Sequence, residues 1–424
     1  MKIYKYPSRD TWPVIMSRPV LNPMPVREQV SLILKDIREK GDEAVRHYTR
    51  QYDKVNIQDF RIPSAMITKA GVLVEDELKK AIAIAQKNIR KFHEKQITFY
   101  KPVVTSPGTT CWLRTEPIEK VGLYIPGGSA PLISTVLMLG IPARQAGCQE
   151  IILCTPPDRN GDVHPAILYT AGILGIDRIF RVGGVQAIGA MAYGTESVPA
   201  VYKIFGPGNQ YVTTAKQLVA LEGVSIDFPA GPSEVAIIAD SSANPAFVAS
   251  DLLAQAEHGS DSQVLLATNH EPLLKAVQDE IERQLRVLPR RSLVQDSLSH
   301  CQLVLMPNLE EIIEIINAYA PEHVIIMTTE YNEHSSLIRN AGSVFLGQYS
   351  PVSAGDYVSG TNHTLPTNGY ARAYSGIRVD SFQKVISFQE ITRSGLINLA
   401  PAIEQLAKAE SLLAHRNAIT VRLK

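Results

Sequence analysis

The chain has 424 residues, of which 45% are hydrophobic and 20% charged, and this length favours two to three domains of about 150 residues each. Its 42 basic and 42 acidic side chains cancel, so there is no overall field to attract nucleic acid or an anionic membrane. The composition excludes a disordered or collagen-like chain and gives no support to a nucleic-acid or membrane partner.

Membrane insertion and secretion are not expected. The most apolar stretch, Leu132 to Ala143, contains Ser134, Thr135 and Pro142 and is shorter than the roughly 20 residues that span a bilayer. No apolar segment follows the charged N-terminus as it does in a signal peptide. The four cysteines form neither a CxxC pair nor a disulfide framework. We therefore expect a cytoplasmic protein whose cysteines are mostly small buried residues.

The N-terminal third predicts amphipathic helices. Apolar residues recur on one helical face from Val26 to Ile37, and this helix is expected to end at Lys40, with Gly41 as its C-cap and Asp42 starting the next helix. A second apolar stripe runs through the charged segment 75–95. Both helical faces need another surface to pack against.

From Pro107 onward, short apolar runs alternate with Gly-rich turns and helical periods, which is typical of βαβ units around a parallel sheet. The predicted strands lie in 121–128, 150–157, 178–184, 201–209, 235–240, 263–268, 301–306, 323–327 and 342–347. We predict an α/β fold with two wound βαβ domains of an incomplete Rossmann type and small helical extensions at both ends.

Breaks rich in Pro and Gly, near 102–108 and 227–234, suggest the domain limits. The predicted parts are an N-terminal arm (1–24), a discontinuous first α/β domain (25–104 plus 235–380), a second, inserted α/β domain (105–234) and a C-terminal helical extension (381–424).

Standard cofactor motifs are absent: the chain has no GxGxxG after a strand, no GxxxxGK[ST] loop and no HExxH helix. Three turns nevertheless place glycines between a strand and a helix, at Tyr124–Ser129, Gly183–Gln186 and Phe205–Asn209. Such turns can hold a phosphate at a helix N-terminus, but tight turns also need glycine for steric reasons alone. Both interpretations remain open for each turn.

Two groups of polar residues are candidates for chemistry. Asp251, Gln255 and His258 share one helical face, which is consistent with a metal or ligand site or with a solvated face. Glu322 and His323 precede a predicted strand and point to opposite sides of it, so they could serve two different steps of one reaction. The alternative for this pair is a loop histidine beside a solvated acid.

The segment 347–376 is rich in small and turn-forming residues and contains Asp356, Tyr357 and His363. We expect it to be a functional loop or a disordered segment, and not a packed core element. On their own, Glu410 and His415 near the C-terminus are typical of ordinary surface residues.

Taken together, several segments resemble the histidinol dehydrogenase family in order and approximate spacing. They are VGLYIPGGSAPL, GPGNQYV, DFPAGPSE, LLAQAEHGSDSQ, YAPEHV, GDYVSGTNHTLPT and SLLAHRNA. The resemblance implies oxidation of L-histidinol through bound L-histidinal to L-histidine with two NAD⁺, and a requirement for one Zn²⁺ per subunit. Small departures occur at Lys120 and Ser260, and neither residue has a role in this scheme.

The resemblance also implies a role for each candidate residue. His323 would be the general base, and Glu322 would activate water for the second oxidation, while the zinc ion orients the substrate. The implied zinc ligands are Gln255, His258, Asp356 and His415. The implied substrate contacts are Ser233, His363, Glu410, His323 and the zinc ligands. The implied NAD contacts are Tyr124, Gln186 and Asn209.

In the family, the residues matching Glu410 and His415 reach the partner subunit's active site, so the resemblance implies a homodimer with shared sites. Three alternatives remain at this point: a zinc-dependent dehydrogenase for another hydroxyl compound, a zinc hydrolase that uses Glu322 and His323 without NAD, and an inactive binding protein. A cysteine nucleophile that traps the aldehyde is a further alternative, although the scheme does not require it.

Overall fold

The computed structural model describes residues 1–18, 23–127, 131–229 and 231–424. The strands are β1 (Lys2–Lys5), β2 (Val103–Ser106), β3 (Thr109–Pro117), β4 (Lys120–Tyr124), β5 (Glu150–Thr155), β6 (Arg178–Arg181), β7 (Lys203–Phe205), β8 (Ser225–Ile226), β9 (Glu234–Ala239), β10 (Gln263–Thr268), β11 (Gln302–Leu305), β12 (His323–Met327), β13 (Ser343–Leu346) and β14 (Gln383–Ile391).

The helices alternate with these strands through most of the chain. They are α1 (Trp12–Ile15), α2 (Pro23–Lys40), α3 (Asp42–Tyr48), α4 (Ser64–Leu73), α5 (Asp76–Glu94), α6 (Ile133–Ala146), α7 (Pro165–Ile173), α8 (Gly184–Tyr193), α9 (Gln210–Leu221), α10 (Pro245–Ala256), α11 (Glu271–Leu285), α12 (Arg291–Leu298), α13 (Leu309–Tyr319), α14 (Tyr331–Ser335), α15 (Val352–Tyr357), α16 (Arg393–Ala409) and α17 (Leu413–Leu423). Short 3-10 or π turns cover Arg9–Thr11, Thr49–Asp53, Tyr370–Arg372 and Val379–Phe382.

Two parallel sheets form the framework of the described residues. One has the order β6-β5-β4-β7-β8 and the other the order β1-β11-β10-β9-β12-β13. Their central strands are mostly apolar after a polar first residue, because helices cover both faces of each sheet. The predicted α/β class with two wound sheets is confirmed, and the predicted strands agree with the observed ones to within a few residues.

Each parallel sheet has a point where the strand order reverses. In the five-stranded sheet this point lies between β4 and β7, and in the six-stranded sheet it lies between β9 and β12. Ligand sites of open α/β sheets form at such points, where neighbouring chain connections leave in opposite directions and open a crevice. The rule applies to the carboxyl ends of the strands, where the large cavity described below adjoins β4, whereas the polar cavity meets the six-stranded sheet at the amino end of β12.

The N-terminal helices pack on the five-stranded sheet, which differs from the predicted grouping of 25–104 with 235–380. Ile33 and Ile37 of α2 lie in one core cluster with Ile188, and Ile82 of α5 lies in another with Val136. An amphipathic stripe shows that a helix needs a partner surface but does not show which surface it is. The sequence pattern therefore could not assign these helices to a sheet.

Both ends of the chain contain strands as well as helices. In the predicted N-terminal arm, β1 pairs in parallel with β11 at the edge of the six-stranded sheet. In the predicted C-terminal helical extension, β14 pairs with β3 from Gln383 opposite Pro117 to Ile391 opposite Thr109, and β2 completes a small antiparallel sheet. The strand β14 was missed because both of its faces mix polar and apolar residues, so no strict alternation marks it.

No helix in the described parts of the chain is both long enough and apolar enough to cross a lipid bilayer.

Candidate active site

Two adjoining cavities lie at the five-stranded sheet, and one of them extends to the six-stranded sheet. The first, here called the large cavity, has a volume of about 740 Å³ and lies at the carboxyl end of β4, next to the start of α8. The second, here called the polar cavity, has a volume of about 550 Å³ and is lined by residues from both sheets. Pro126, Gly127 and Asn209 line both cavities, so a ligand in one can contact a ligand in the other.

The polar cavity contains most of the predicted site residues. It is lined by Asn209, Ser233, His258, Glu322, His323, Asp356 and His363, among others. Glu322 and His323 stand at the amino end of β12, whereas Asn209 follows the carboxyl end of β7. The cavity is therefore bounded by opposite edges of the two sheets.

His323 is held in a geometry suited to a general base. Its ring is buried, and Nδ1 lies 3.1 Å from the backbone carbonyl oxygen of Glu234. Because a carbonyl oxygen can only accept, Nδ1 carries the proton and donates it in this bond. Nε2 is then the unprotonated nitrogen, and it is buried without a hydrogen-bond partner. Burial lowers the pKa of His323 to about 3, so the ring is neutral and Nε2 carries an unshared electron pair.

Glu322 is also buried and is fixed by the same backbone position. The backbone N–H of Glu234 donates to its Oε2 at 2.9 Å. Burial raises the pKa of Glu322 well above its usual value, and the nearby negative charges of Glu234 and Asp356 act in the same direction. A carboxyl group with a raised pKa can exchange a proton with water near neutral pH.

Asp356, His258 and His363 form a polar cluster on the other side of the cavity. The Nδ1 atom of His363 lies 2.9 Å from the backbone oxygen of Asp356. Burial lowers the pKa of His363 to about 4 and that of His258 in the same direction, although His258 is open to the cavity. Burial raises the pKa of Asp356 to about 7. The cluster therefore holds neutral imidazoles, the form that binds metals, beside a carboxyl group that a cation would ionise.

Gln255 is the least satisfied polar residue near this cluster. It lies on α10 and is 1% exposed, and neither Oε1 nor Nε2 has a hydrogen-bond partner. Leaving a buried amide unpaired costs about 1–3 kcal/mol. Buried polar groups in native proteins are almost always hydrogen-bonded, so an unpaired one indicates a binding partner. An ion or ligand bound through Oε1 would satisfy this requirement.

No group of three or more His, Cys, Asp or Glu side chains within the described ranges is arranged to hold a metal ion. Of the four predicted zinc ligands, Gln255 is an amide, and only His258 and Asp356 line the polar cavity. His258, Asp356 and the unpaired amide of Gln255 fit part of a metal site. A complete site needs another donor.

His415 and Glu410 are exposed on the C-terminal segment and do not line either cavity. Their helices, α16 and α17, pack mainly against each other. Within one subunit, the structure therefore does not bring these two predicted residues to the others.

Tyr124, Gln186 and Asn209 all line the large cavity. The Tyr124 hydroxyl accepts the backbone N–H of Gly184 at 3.0 Å, and Gln186 Nε2 donates to Asp53 Oδ2 at 3.1 Å. Asn209 caps α9, since its side-chain oxygen accepts the N–H groups of Tyr211 and Val212 at 3.1 Å. These bonds fix the turns, so the glycine-rich segments have a structural role as well as a place in the cavity wall.

A close approach explains one of the glycines in these turns. Gly206 has φ +129°, and a Cβ there would lie 2.1 Å from the backbone oxygen of Tyr124. Only glycine permits this contact between the ends of β4 and β7. Gly128 and Ser129, in the turn predicted at Tyr124–Ser129, and Ala230, within 227–234, lie outside the described residues.

Part of the segment 347–376 is packed inside the protein, contrary to the expectation of a loop without core residues. Asn362, Thr364, Leu365 and Thr367 are buried. Asn362 Nδ2 donates to the backbone oxygen of Met138 at 2.6 Å, and Thr367 Oγ1 accepts the N–H of Gly231. Hydrogen bonds of this kind allow polar residues to be buried, and they place Asp356 and His363 in the cavity wall.

Sequence reasoning missed three charged residues next to the cavities. Glu234 begins the otherwise apolar strand β9, and an acid entering an apolar strand is a usable signal of a buried partner. Asp53 and Lys216 carry no such signal, because Asp53 is half-buried and Lys216 buried only through contacts distant in sequence. Lys216 forms a buried ion pair with Asp227 and donates to the oxygen of Gly206 at 2.8 Å.

Comparison with known proteins gives a consistent result. A family profile described as histidinol dehydrogenase matches residues 16–423. A histidinol dehydrogenase from Bacteroides thetaiotaomicron is 57% identical over 423 residues, covering 100% of this chain and 99% of that protein. Another, from Pectobacterium atrosepticum, is 51% identical over 412 residues, covering 96% of this chain and 92% of that protein. A crystal structure of histidinol dehydrogenase from Elizabethkingia anophelis matches with a TM-score of 0.97 at 51% identity, covering 100% of this chain and 98% of that one.

The profile match extends across both parallel sheets and includes every predicted site residue. A hydrolase and an inactive binding protein, considered above as alternatives, do not agree with these relatives. The chain belongs to the histidinol dehydrogenase family of oxidoreductases.

Proposed function

We propose that the chain oxidises L-histidinol through bound L-histidinal to L-histidine, with NAD⁺ as the hydride acceptor, in the last steps of histidine biosynthesis. The observation that carries this proposal is the state of His323. Its Nδ1 donates to the oxygen of Glu234 at 3.1 Å, while Nε2 is buried and unpaired. His323 lines the polar cavity, which adjoins the large cavity.

In the first step, His323 Nε2 takes the proton of the substrate hydroxyl as the hydrogen on the same carbon leaves as hydride. A neutral imidazole is the form that can accept this proton. The resulting aldehyde stays in the polar cavity, because release would expose a reactive intermediate and lose the gain from holding the reactants together.

In the second step, Glu322 activates water for addition to the aldehyde. Its raised pKa suits proton exchange with water, and its position beside His323 lets the two groups act in turn on one carbon. As water adds, His323 returns its first proton to the aldehyde oxygen and becomes neutral again, while Glu322 passes the proton taken from water to solvent. His323 then takes a hydroxyl proton of the hydrate as the second hydride passes to a second NAD⁺. Ser233 and His363 line the same cavity and would contact the substrate.

The NAD⁺ site is proposed to be the large cavity. Its wall includes Tyr124, Gln186 and Asn209, and it lies at the carboxyl end of β4 beside the reversal point of the five-stranded sheet, where dinucleotides bind in open α/β folds. Asn209 borders both cavities, which brings a nicotinamide near the substrate carbon.

Zinc would be held by Gln255, His258 and Asp356, with His415 supplied by the partner subunit. The unpaired Gln255 amide and the neutral His258 beside the Asp356 carboxyl group are the features that fit the ion. When bound, zinc would orient the substrate by binding the imidazole and amino nitrogens of the substrate.

A homodimer with shared sites follows from the same assignment. The C-terminal helices expose large apolar side chains, with Leu406 at 65%, Leu413 at 67% and Val421 at 52%. A second copy of the chain would cover them and bring His415 and Glu410 to the polar cavity. A cytoplasmic location also remains a prediction.

The test is to measure NADH and L-histidine formed from L-histidinol and NAD⁺, before and after chelation and after zinc is restored. We expect two NADH per histidine, loss of activity on chelation and recovery with zinc. Absence of NADH from zinc-loaded dimer would reject histidinol as the substrate and favour a different hydroxyl compound on the same scaffold.

A further inference from the structure

A buried ion pair lies directly behind Glu322 and His323. The Glu234 side chain is 1% exposed, and Arg18 binds it through two hydrogen bonds, from Nε to Oε1 at 2.5 Å and from Nη2 to Oε2 at 3.0 Å. Such a planar, two-point contact fixes the direction of a carboxylate as well as its position.

The pair is tied to three separate parts of the chain. Arg18 Nη2 also donates to the backbone oxygen of Tyr319 at 2.8 Å, and the guanidinium lies 4.1 Å from the centre of the Tyr319 ring. The backbone N–H of Asn368, in the segment 347–376, donates to Glu234 Oε1 at 3.0 Å. The Arg18–Glu234 pair therefore joins the N-terminal segment, the end of α13 and the loop that carries His363.

The backbone of Glu234 contacts both proposed reaction groups. Its N–H donates to Glu322 Oε2 at 2.9 Å, and its carbonyl oxygen accepts from His323 Nδ1 at 3.1 Å. The second bond sets which ring nitrogen of His323 is unprotonated. These two groups belong to the consecutive peptides on either side of the Glu234 Cα, so a displacement of the Glu234 backbone would weaken both bonds together.

We propose that Arg18 and Glu234 are positioning residues, which hold the backbone of Glu234 so that Glu322 and His323 face the substrate in the reactive geometry. This inference rests on the function proposed above for Glu322 and His323. A buried ion pair is weak support for stability, because well-packed apolar side chains can often replace it. Here the ion pair instead fixes the orientation of the Glu234 backbone.

The test uses two sets of variants. Arg18→Lys keeps the positive charge but loses the two-point contact, and the double variant Arg18→Met with Glu234→Gln removes both charges, so that neither is left buried alone. The matched control is Arg9→Met with Glu314→Gln, which removes an exposed Arg–Glu pair that also joins the N-terminal segment to α13.

We expect kcat with L-histidinol to fall about 10- to 100-fold in both Arg18 variants, which is the scale of loss from a displacement near 1 Å. The KM for histidinol and the zinc content should stay within about threefold of the unmodified protein. Oxidation of supplied L-histidinal should fall by a similar factor, since both groups move together. The control pair should leave all of these values unchanged.

A purely structural role would lower the yield or melting temperature and leave kcat of the folded protein unchanged. Wild-type kcat for both steps in the folded double variant would therefore overturn the proposal. Failure of the unmodified protein to oxidise histidinol would instead reject the proposed function. A crystal structure of the double variant tests the proposal independently of activity, through the distance from His323 Nδ1 to the backbone oxygen of residue 234. We expect the bond from His323 Nδ1 to the oxygen of residue 234 to lengthen or break, and an unchanged bond would contradict the inference.

Discussion

Replacing Gln255 with leucine should change stability in opposite directions with and without zinc. The Gln255 side chain is buried, and neither of its polar atoms has a hydrogen-bond partner. In metal-free protein, leucine has similar volume and no polar atom to leave unpaired. The substitution should therefore raise the free energy of unfolding by about 1–3 kcal/mol, the penalty for a buried unpaired amide.

With zinc present, the same change removes a proposed ligand. A loss of 10- to 100-fold in zinc affinity, the scale seen even for residues that only support ligands, reduces the stabilisation by zinc by about 1.4–2.7 kcal/mol. Zinc should therefore increase the free energy of unfolding less in Gln255→Leu than in the unmodified protein. This holds even though the metal-free variant has the higher free energy of unfolding.

The assay is urea unfolding at one protein concentration, in chelator and again with added zinc, combined with measurement of bound zinc. Gln263→Leu is the control, because Gln263 is also buried and its Nε2 is unpaired, but its Oε1 accepts from the Tyr319 hydroxyl at 3.1 Å, a bond that Gln255 lacks. Loss of that bond should destabilise the protein by about 1 kcal/mol in both conditions. Destabilisation of metal-free protein by Gln255→Leu, to the same extent as in the control, would refute the reasoning.

Three further predictions concern the proposed roles and one buried acid. His323→Ala should lower the rate of both oxidation steps about 10²- to 10⁴-fold, and near-normal turnover measured by NADH formation would remove His323 from the mechanism. Glu322→Gln should slow oxidation of supplied histidinal more than conversion of histidinol to bound aldehyde, measured in a single turnover, and equal slowing would contradict its role with water. Burial raises the pKa of Asp53 to about 6, so the folded state holds this proton to higher pH than the unfolded state, and stability falls as pH rises from about 4 to 6. The free energy of unfolding of Asp53→Asn should therefore gain about 1–2 kcal/mol relative to the unmodified protein across that range, allowing for partial exposure of Asp53, and parallel pH curves would show that its pKa is not raised.

The local structure was accessible from sequence patterns. The helix ending at Lys40 and the strand over 323–327 were predicted at the observed positions, because apolar periodicity and capping residues act over a few neighbours. The sequence also marked Glu322 and His323 as a candidate pair, since they stand at the start of a buried strand, and their roles stay a prediction.

Features that depend on distant contacts were not accessible in this way. The partner surface of α2 and α5 is set by the shape of the five-stranded sheet, and the bond between Arg18 and Glu234 joins residues more than 200 positions apart. The pairing of β14 with β3 depends on a neighbour strand from another part of the chain. A single sequence contains no local pattern that specifies such pairings.

The position of the cavities at opposite sheet edges has an electrostatic consequence. In a wound α/β fold the helices run against the strands, so α10 and α13 direct their C-terminal ends toward the amino edge where His258 and His323 lie, whereas α8 and α9 begin beside Gly184 and Asn209. Helix C-termini carry partial negative charge and helix N-termini partial positive charge. The backbone thus favours a cation on the side of the polar cavity where α10 and α13 end. It favours an anion, such as a pyrophosphate, in the large cavity where α8 and α9 begin. One chain thereby offers adjacent sites of opposite polarity before any side-chain charge is counted.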